Sequence, residues 1–314
     1  MNKLLKSLEL YKDGNKATQQ EMDIFFSFIQ KLISSKRVRF IYRGNSNIFT
    51  DYNISCENLP LLSRYIFCLG DKSPYFFQNK PLNSICLFPL IWEKFNNKVS
   101  NLRFSNERTT KYVSKFMENN PEFIQYFSDN HNKYDFENLS QLPAKKREII
   151  ADYYLSILHT IGKSSNGKSY FLSSSKNYLV ADEFKGDNSL IIYGWLPRKG
   201  IRNNIIKYVD TEKYSLFVKS LGLPVYQMPV YPKQKEICIK CGLLPHFIVG
   251  FQHNNKFYIN PNTLNQWHDN IVYDGLDPNQ EDFNDLYKAT KLKQSFIFCD
   301  GEYYLISKMS ITNI

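Results

Sequence analysis

Tyr170-Phe171-Leu172-Ser173-Ser174-Ser175-Lys176-Asn177-Tyr178-Leu179-Val180-Ala181-Asp182-Glu183-Phe184 is the stretch at which the texture of the chain changes. Its opening residues predict a short strand that ends in three hydroxyls. Leu179, Val180 and Phe184 follow with the spacing of a short helix. Serines at such a junction cap the helix, or hydrogen-bond a neighbouring carboxylate and ribose hydroxyls. Downstream, runs rich in aromatic and β-branched residues recur at Ser189 to Trp195, Glu236 to Cys241, Phe247 to Gln252 and Lys256 to Ile259. Two more lie at Ser295 to Cys299 and Tyr303 to Ser307, with turns such as Asn254-Asn255 and Asp300-Gly301 between runs. Residues 163–314 therefore read as a β-rich core of twisted, mostly antiparallel sheet.

Upstream, residues 55–162 read as a large helical insertion, with helices around Ile91 to Asn96, Lys111 to Glu118, Pro121 to Phe127 and Ala144 to Ile161. Residues 37–54 hold a first core strand, Val38-Arg39-Phe40-Ile41-Tyr42-Arg43, which stops at Gly44-Asn45. Residues 1–36 read as an N-terminal helical segment. There Thr18 and Glu21 have capping-box spacing ahead of Ile24, Phe25, Phe28, Ile29 and Leu32 at helical intervals. The fold class is α+β, and 1–314 reads as a single elaborated domain.

A content of 43% hydrophobic and 16% aromatic residues can fill a sizeable core, which excludes a largely disordered chain. Lys and Arg outnumber Asp and Glu by 40 to 30, and the formal charge of +10 favours a polyanionic partner such as nucleic acid. No apolar run approaches the ~20 residues that span a bilayer. The start, Met1-Asn2-Lys3-Leu4-Leu5-Lys6, has no continuous apolar segment of the secretory kind, so a cytoplasmic protein is expected. Cysteines at 56, 68, 86, 238, 241 and 299 have no framework spacing and read as reduced, mostly buried thiols. Cys238-Ile239-Lys240-Cys241 lacks the second pair that a zinc site needs, and no metal is expected.

Three polar elements fall at predicted strand ends. Arg43 offers a planar fork that can hold a pyrophosphate, and Gly44 removes a side chain that would block the approach of backbone. Ser173 and Ser175 lie in the hydroxyl-rich junction. In Tyr231-Pro232-Lys233-Gln234-Lys235-Glu236, period-two alternation puts Gln234 and Glu236 on one strand face. Tyr178 or Phe184 could pack on a planar ring, core packing being the ordinary role of Phe184. Tyr231, on the loop before Gln234, is placed to stack on an acceptor base or side chain, and Tyr226 is a further aromatic near that loop. Gln280-Glu281-Asp282, a further acidic triplet, reads as a solvated turn or a helix start.

In this order the three elements resemble the ADP-ribosyltransferase family of the Arg, Ser, Glu type. Tyr42-Arg43-Gly44 looks like its first motif, Phe171-Leu172-Ser173-Ser174-Ser175 like its serine-rich strand, and Gln234-Lys235-Glu236 like its Q-x-E motif. Phe247-Ile248-Val249 matches its following strand. The resemblance implies a split-sheet core that uses NAD as co-substrate, with Arg43 on the phosphates. Ser173 would orient Glu236 and contact the ribose. Glu236 would stabilise the oxocarbenium-like state, and Gln234 would align the acceptor. Gln at that position goes in the family with asparagine or a nucleobase. With the basic charge this points to RNA ahead of DNA, a protein side chain (Asn or Arg) being the alternative acceptor. Family habit further implies the toxin of a toxin–antitoxin or phage-defence system, with an antitoxin as partner. A non-catalytic nucleic-acid-binding protein that retains the fold is the alternative from another class, and an NAD hydrolase a third reading. Tyr42-Arg43-Gly44 with Leu158-His159-Thr160-Ile161-Gly162 also resembles the bacterial domain named for its Phe-Arg-Gly motif.

Overall fold

The computed structural model describes residues 2–34, 38–45, 48–51, 53–72, 84–101, 118–161, 171–186, 190–197, 208–226, 235–240, 242–264, 295–299 and 302–306. They fall in two compact units. The first comprises Met1–Phe77, Leu172–Lys207 and Ile239–Ile314, and the second Gln78–Phe171 and Tyr208–Cys238. Together they are α+β, with helices and a large, open, mostly antiparallel sheet.

In chain order the elements begin with α1 (Asn2–Leu5), β1 (Glu9–Lys12), β2 (Asn15–Lys16), α2 (Gln19–Ser34) and β3 (Val38–Gly44). They continue with α3 (Ile48–Asp51), α4 (Leu59–Leu69) and β4 (Asp71–Lys72). Four helices follow: α5 (Ser84–Asn101), α6 (Pro121–Ser128), α7 (His131–Asn138) and α8 (Ala144–Ile161). Next come β5 (Phe171–Ser175), α9 (Tyr178–Glu183), β6 (Leu190–Pro197), β7 (Tyr208–Val209) and α10 (Thr211–Ser220). The last strands are β8 (Glu236–Lys240), β9 (Gly242–Leu243), β10 (Ile248–His253), β11 (Lys256–Ile259), β12 (Ser295–Cys299) and β13 (Glu302–Ile306).

In the first unit the strand order is β2-β1-β11-β10-β6-β3-β5. β1 runs parallel to β11, while β10 with β11, β6 with β10, and β3 with both β6 and β5 are antiparallel. The β3–β6 ladder is the longest, from Val38 opposite Pro197 to Gly44 opposite Ile191. From Leu190 to Leu196 β6 is buried throughout, as a central strand covered on both faces must be. The N-terminal 36 residues are not purely helical: β1 and β2 lie among them, and Leu10 of β1 stands opposite Phe257.

Helix α2 closes over this sheet with its predicted stripe of Phe25, Phe28, Ile29 and Leu32 buried, and the Phe25 and Phe257 rings meet at 5.7 Å. Its capping box is reciprocal. The Thr18 hydroxyl accepts the Glu21 N–H at 3.3 Å, and the Glu21 carboxylate accepts the Thr18 N–H at 2.9 Å. Lys12 of β1 donates to the other carboxylate oxygen at 2.9 Å, tying the strand to the start of the helix.

The second unit is built on aromatic packing. Trp92 and Phe95 of α5 meet Phe127 of α6, the Phe95 and Phe127 rings lying 4.6 Å apart, and Phe136 and Tyr154 complete the cluster. Helix α8 is buried on every side from Ala151 to Leu158, so its polar groups find internal partners. The Tyr154 hydroxyl donates to the Pro224 carbonyl at 2.9 Å, and the Ser156 hydroxyl donates to the Tyr153 carbonyl at 2.7 Å. The boundaries of α8 are those expected from the sequence, while α5 is longer than expected at both ends. Of the expected helix Lys111 to Glu118, all but Glu118 lies outside the described residues.

Of the cysteines whose side chains are described, Cys238 is buried, Cys68 half-buried and Cys56 exposed. No described helix is long and apolar enough to cross a membrane.

Hydrogen bonds from Lys12 first, then from Thr18, hold the Glu21 carboxyl down to about 2 from its ordinary 4.5. Because the folded value lies below the unfolded one, this stabilisation is complete above pH 4.5 and is lost as the pH falls toward 2. Urea denaturation of wild type and Glu21→Gln from pH 7 to pH 2 is expected to show wild type the more stable by about 1 kcal/mol near neutrality. That gap should close in the acid window; a gap independent of pH would place its source elsewhere than in the carboxylate.

Candidate active site

Arg43 occupies the last turn of the β3 ladder, where the strand meets β4 and β5 of the same unit. Its Nε donates to Oδ2 of Asp71 at 2.6 Å, and its Nη1 donates to the Ser173 carbonyl at 2.9 Å. Asp71 is only 4% exposed, and Nδ2 of Asn45 lies 3.5 Å from the same carboxylate oxygen. The guanidinium fork that the sequence offers to a pyrophosphate is thus engaged at two of its three nitrogens by the protein itself. The next residue explains the glycine. A Cβ on Gly44 would stand 2.2 Å from the Ala181 carbonyl oxygen and 2.7 Å from the Lys185 nitrogen, so the space beside Gly44 is filled by the end of α9.

The hydroxyl-rich strand places Ser174 and Ser175 in the interior and leaves Ser173 half-buried. Ser175 Oγ accepts the Asn177 N–H at 2.9 Å, and Asn177 Oδ1 accepts the Leu179 N–H at 3.2 Å. The residue that caps α9 is therefore Asn177 rather than one of the serines. Tyr178 stands edge-on to the Tyr42 ring at 5.9 Å, with its hydroxyl 3.4 Å from Gln252 Oε1, which also accepts the Tyr193 hydroxyl at 2.7 Å. Burial pushes the Tyr42 hydroxyl up to about 12, so it stays protonated. Phe184 is 51% exposed, so its expected packing in the core is not realised, and Leu179 on the same helix is 65% exposed. An open cavity of about 780 Å³ in this unit is lined by Glu9, Lys185, Gln252, His253 and Lys256 among others, and by none of the residues singled out from the sequence.

Glu236 opens β8 in the second unit, half-buried. Lys235 before it is left-handed at φ 44°, a conformation that costs a side-chain-bearing residue about 1 kcal/mol. The strand starts at Glu236. Thr160 of α8 donates its hydroxyl to Glu236 Oε2 at 3.0 Å. Cys238, on the same face two residues on, also hydrogen-bonds the carboxylate; burial first, then the Glu236 charge and this bond, raise its thiol well above the ordinary value. Tyr226 completes the surroundings. Its hydroxyl is pushed up to about 12 by burial and by the Glu236 charge, against a hydrogen bond with Thr211 that lowers it. The Tyr226 ring stacks on Tyr153 at 6.0 Å and packs against the unit's own core.

The partners described for Glu236 are the Thr160 hydroxyl and the Cys238 thiol of the second unit, and those described for Arg43 are Asp71 and the Ser173 carbonyl of the first. Tyr231, Gln234 and the triplet Gln280-Glu281-Asp282 lie outside the described residues. Asp71, Thr160 and Cys238 were not singled out as partners from the sequence. The stretch containing Thr160 was noted only as a likeness, and its hydroxyl had no local feature to distinguish it. Among the described residues no group of three His, Cys, Asp or Glu side chains is arranged to hold a metal ion.

Removing one member of the Arg43–Asp71 pair strands the other in a poorly hydrated site. Asp71→Ala is expected to cost about 3 kcal/mol in urea denaturation, and Arg43→Met with Asp71→Leu much less than that single change. Equal losses would show that the pair's geometry, not the stranded charge, is what matters. Gly44→Ala forces backbone apart and should cost about 3 kcal/mol. Gly222→Ala, at φ 73° with nothing within 4 Å, should cost only about 1 kcal/mol. A Gly44→Ala protein as stable as wild type would contradict the close approach of α9. No family model, curated protein or solved structure matches the chain, so any assignment rests on these residues.

Proposed function

We propose that the chain is an NAD-dependent mono-ADP-ribosyltransferase whose acceptor is nucleic acid, RNA ahead of DNA, built on the split-sheet fold of that family. The observation that carries the reading is the bond from Arg43 to the Ser173 carbonyl. It joins, across 130 residues of chain, the two elements that resemble the family's first and second motifs. β3 and β5 also pair directly, Tyr42 opposite Ser175.

On this reading Glu236 supplies the carboxylate that hydrogen-bonds the ribose hydroxyl next to the reacting carbon. Its negative charge stabilises the positive charge that develops as nicotinamide departs with the electron pair of the glycosidic bond. The acceptor nucleophile then forms the new bond to that carbon and releases a proton. Thr160 and Cys238 stabilise the charge of Glu236 by donation without cancelling it. Arg43, two of whose nitrogens are held by Asp71 and Ser173, presents Nη2 to a phosphate rather than a two-pronged fork. The preference for nucleic acid rests on the formal charge of +10. Expression in a cell would be toxic through this same chemistry and harmless for Glu236→Ala.

Incubation of the purified chain with NAD labelled in its adenylate portion, together with total RNA, DNA or protein, tests the proposal. Label is expected in RNA, and Glu236→Gln should lower its incorporation by about 10²- to 10³-fold. Label in protein alone would replace the acceptor, free ADP-ribose alone would make the chain a hydrolase, and no reaction in any arm would remove the enzyme.

A further inference from the structure

Helix α8 carries at its last turn a hydroxyl with one hydrogen and two acceptors. Thr160 Oγ1 lies 2.9 Å from the Ser156 carbonyl and 3.0 Å from Glu236 Oε2. The first acceptor is the ordinary helical site for a threonine hydroxyl, and its carbonyl already receives a backbone N–H in α-helical geometry. The second is a carboxylate, which makes the stronger, charge-assisted bond when ionised. Surrendering the first bond to strengthen the second therefore leaves no carbonyl unsatisfied.

We infer that Thr160 is the positioning residue of Glu236, holding its carboxylate in one orientation and favouring the ionised form for transition-state stabilisation. This rests on the reading of Glu236 as the catalytic carboxylate. The sequence resemblance assigns an orienting task to Ser173 of the serine-rich strand; the hydroxyl described on the carboxylate comes from α8 of the second unit. The placement is rigid: Leu158 and Ile157 just before Thr160 are buried in the aromatic core, so the hydroxyl is set by the packing of α8. When the carboxyl is protonated it can donate to Thr160 Oγ1 while Thr160 donates to Ser156, so the site accommodates both states. Tyr226 and Cys238, the titratable groups described near the carboxylate, are both held protonated by burial.

The test compares Thr160→Val, nearly the same in shape but without the donor, with Thr160→Ser, which keeps it. Nicotinamide release by the full chain is followed against pH at varied NAD. Thr160→Val is expected to lower kcat roughly tenfold at pH 6 with KM for NAD within about twofold, and to move the acid limb of the profile up by about one pH unit. Thr160→Ser should restore both. In parallel, carbon-13 carboxyl NMR of each protein, with Glu236→Gln used to assign the resonance, reads the Glu236 titration without any substrate. If wild type releases no nicotinamide, the enzymatic reading falls and positioning for catalysis falls with it, while the NMR titration still decides whether Thr160 holds the ionised carboxylate. If wild type is active but Thr160→Val leaves the acid limb and the carboxyl titration where they were, or Thr160→Ser loses as much as Thr160→Val, Thr160 is not the positioning residue.

Discussion

The first unit depends on one interaction, the ion pair between Arg43 and Asp71 at 2.6 Å with the carboxylate almost wholly removed from solvent. Removing both charges from water costs nearly what their attraction returns, so the pair adds little net stability. What it adds is geometry. Its three anchors are the end of β3, the two-residue strand β4 that pairs with β9, and the Ser173 carbonyl in β5. A guanidinium binding a carboxylate and a carbonyl through defined N–H directions tolerates little displacement of any of the three. Gly44 imposes a complementary demand, since the end of α9 can come this close only to a residue without Cβ. The Arg-Gly pair is therefore explained first by the architecture of the strand end.

Much of the secondary structure was legible because its signals are local. The Thr18–Glu21 box, the stripe of α2, the boundaries of α8 and the strands β6, β10 and β11 all follow from residues within one or two turns of each other. What escaped notice is non-local or backbone-specific. β1 pairs with β2 across the Asp13-Gly14 turn, but its other partner, β11, lies far along the chain and runs parallel to it, so no hairpin turn announces that second pairing. Lys235 takes a left-handed conformation that favours glycine or asparagine, and a lysine there gives no warning.

The candidate site divides along the same line. Arg43, Ser173 and Glu236 could be picked out because each falls near the end of a strand expected from the sequence. Their partners could not, because Asp71 is 28 residues from Arg43 and Thr160 is 76 residues from Glu236. Nothing in Gly70-Asp71-Lys72 distinguishes a buried acid from a solvated turn until β4 is seen against β9. Phe184 shows the reverse error. Its spacing after Leu179 and Val180 reads as a buried helical face, yet only Val180 and Ala181 of that helix are buried, because Asn177 starts the helix and sets its rotation.

Arg43 and Glu236 illustrate how burial and partner type sort charged residues into different tasks. The guanidinium of Arg43 meets a full opposite charge, which leaves beyond the pair only the weaker, shorter-ranged field of a dipole. Such a residue is well placed to hold strands and less able to attract a phosphate. The partners described for Glu236 are uncharged donors, a hydroxyl and a thiol. Neutral donors repay much of the desolvation cost of a half-buried carboxylate while leaving its charge in being, which is the condition under which a carboxylate can stabilise a cationic transition state. A charge answered by dipoles remains available to a ligand, whereas a charge answered by a countercharge has been spent on the fold. By that criterion the Thr160 and Cys238 bonds leave the charge of Glu236 open to a ligand in a way that the Asp71 ion pair does not leave that of Arg43.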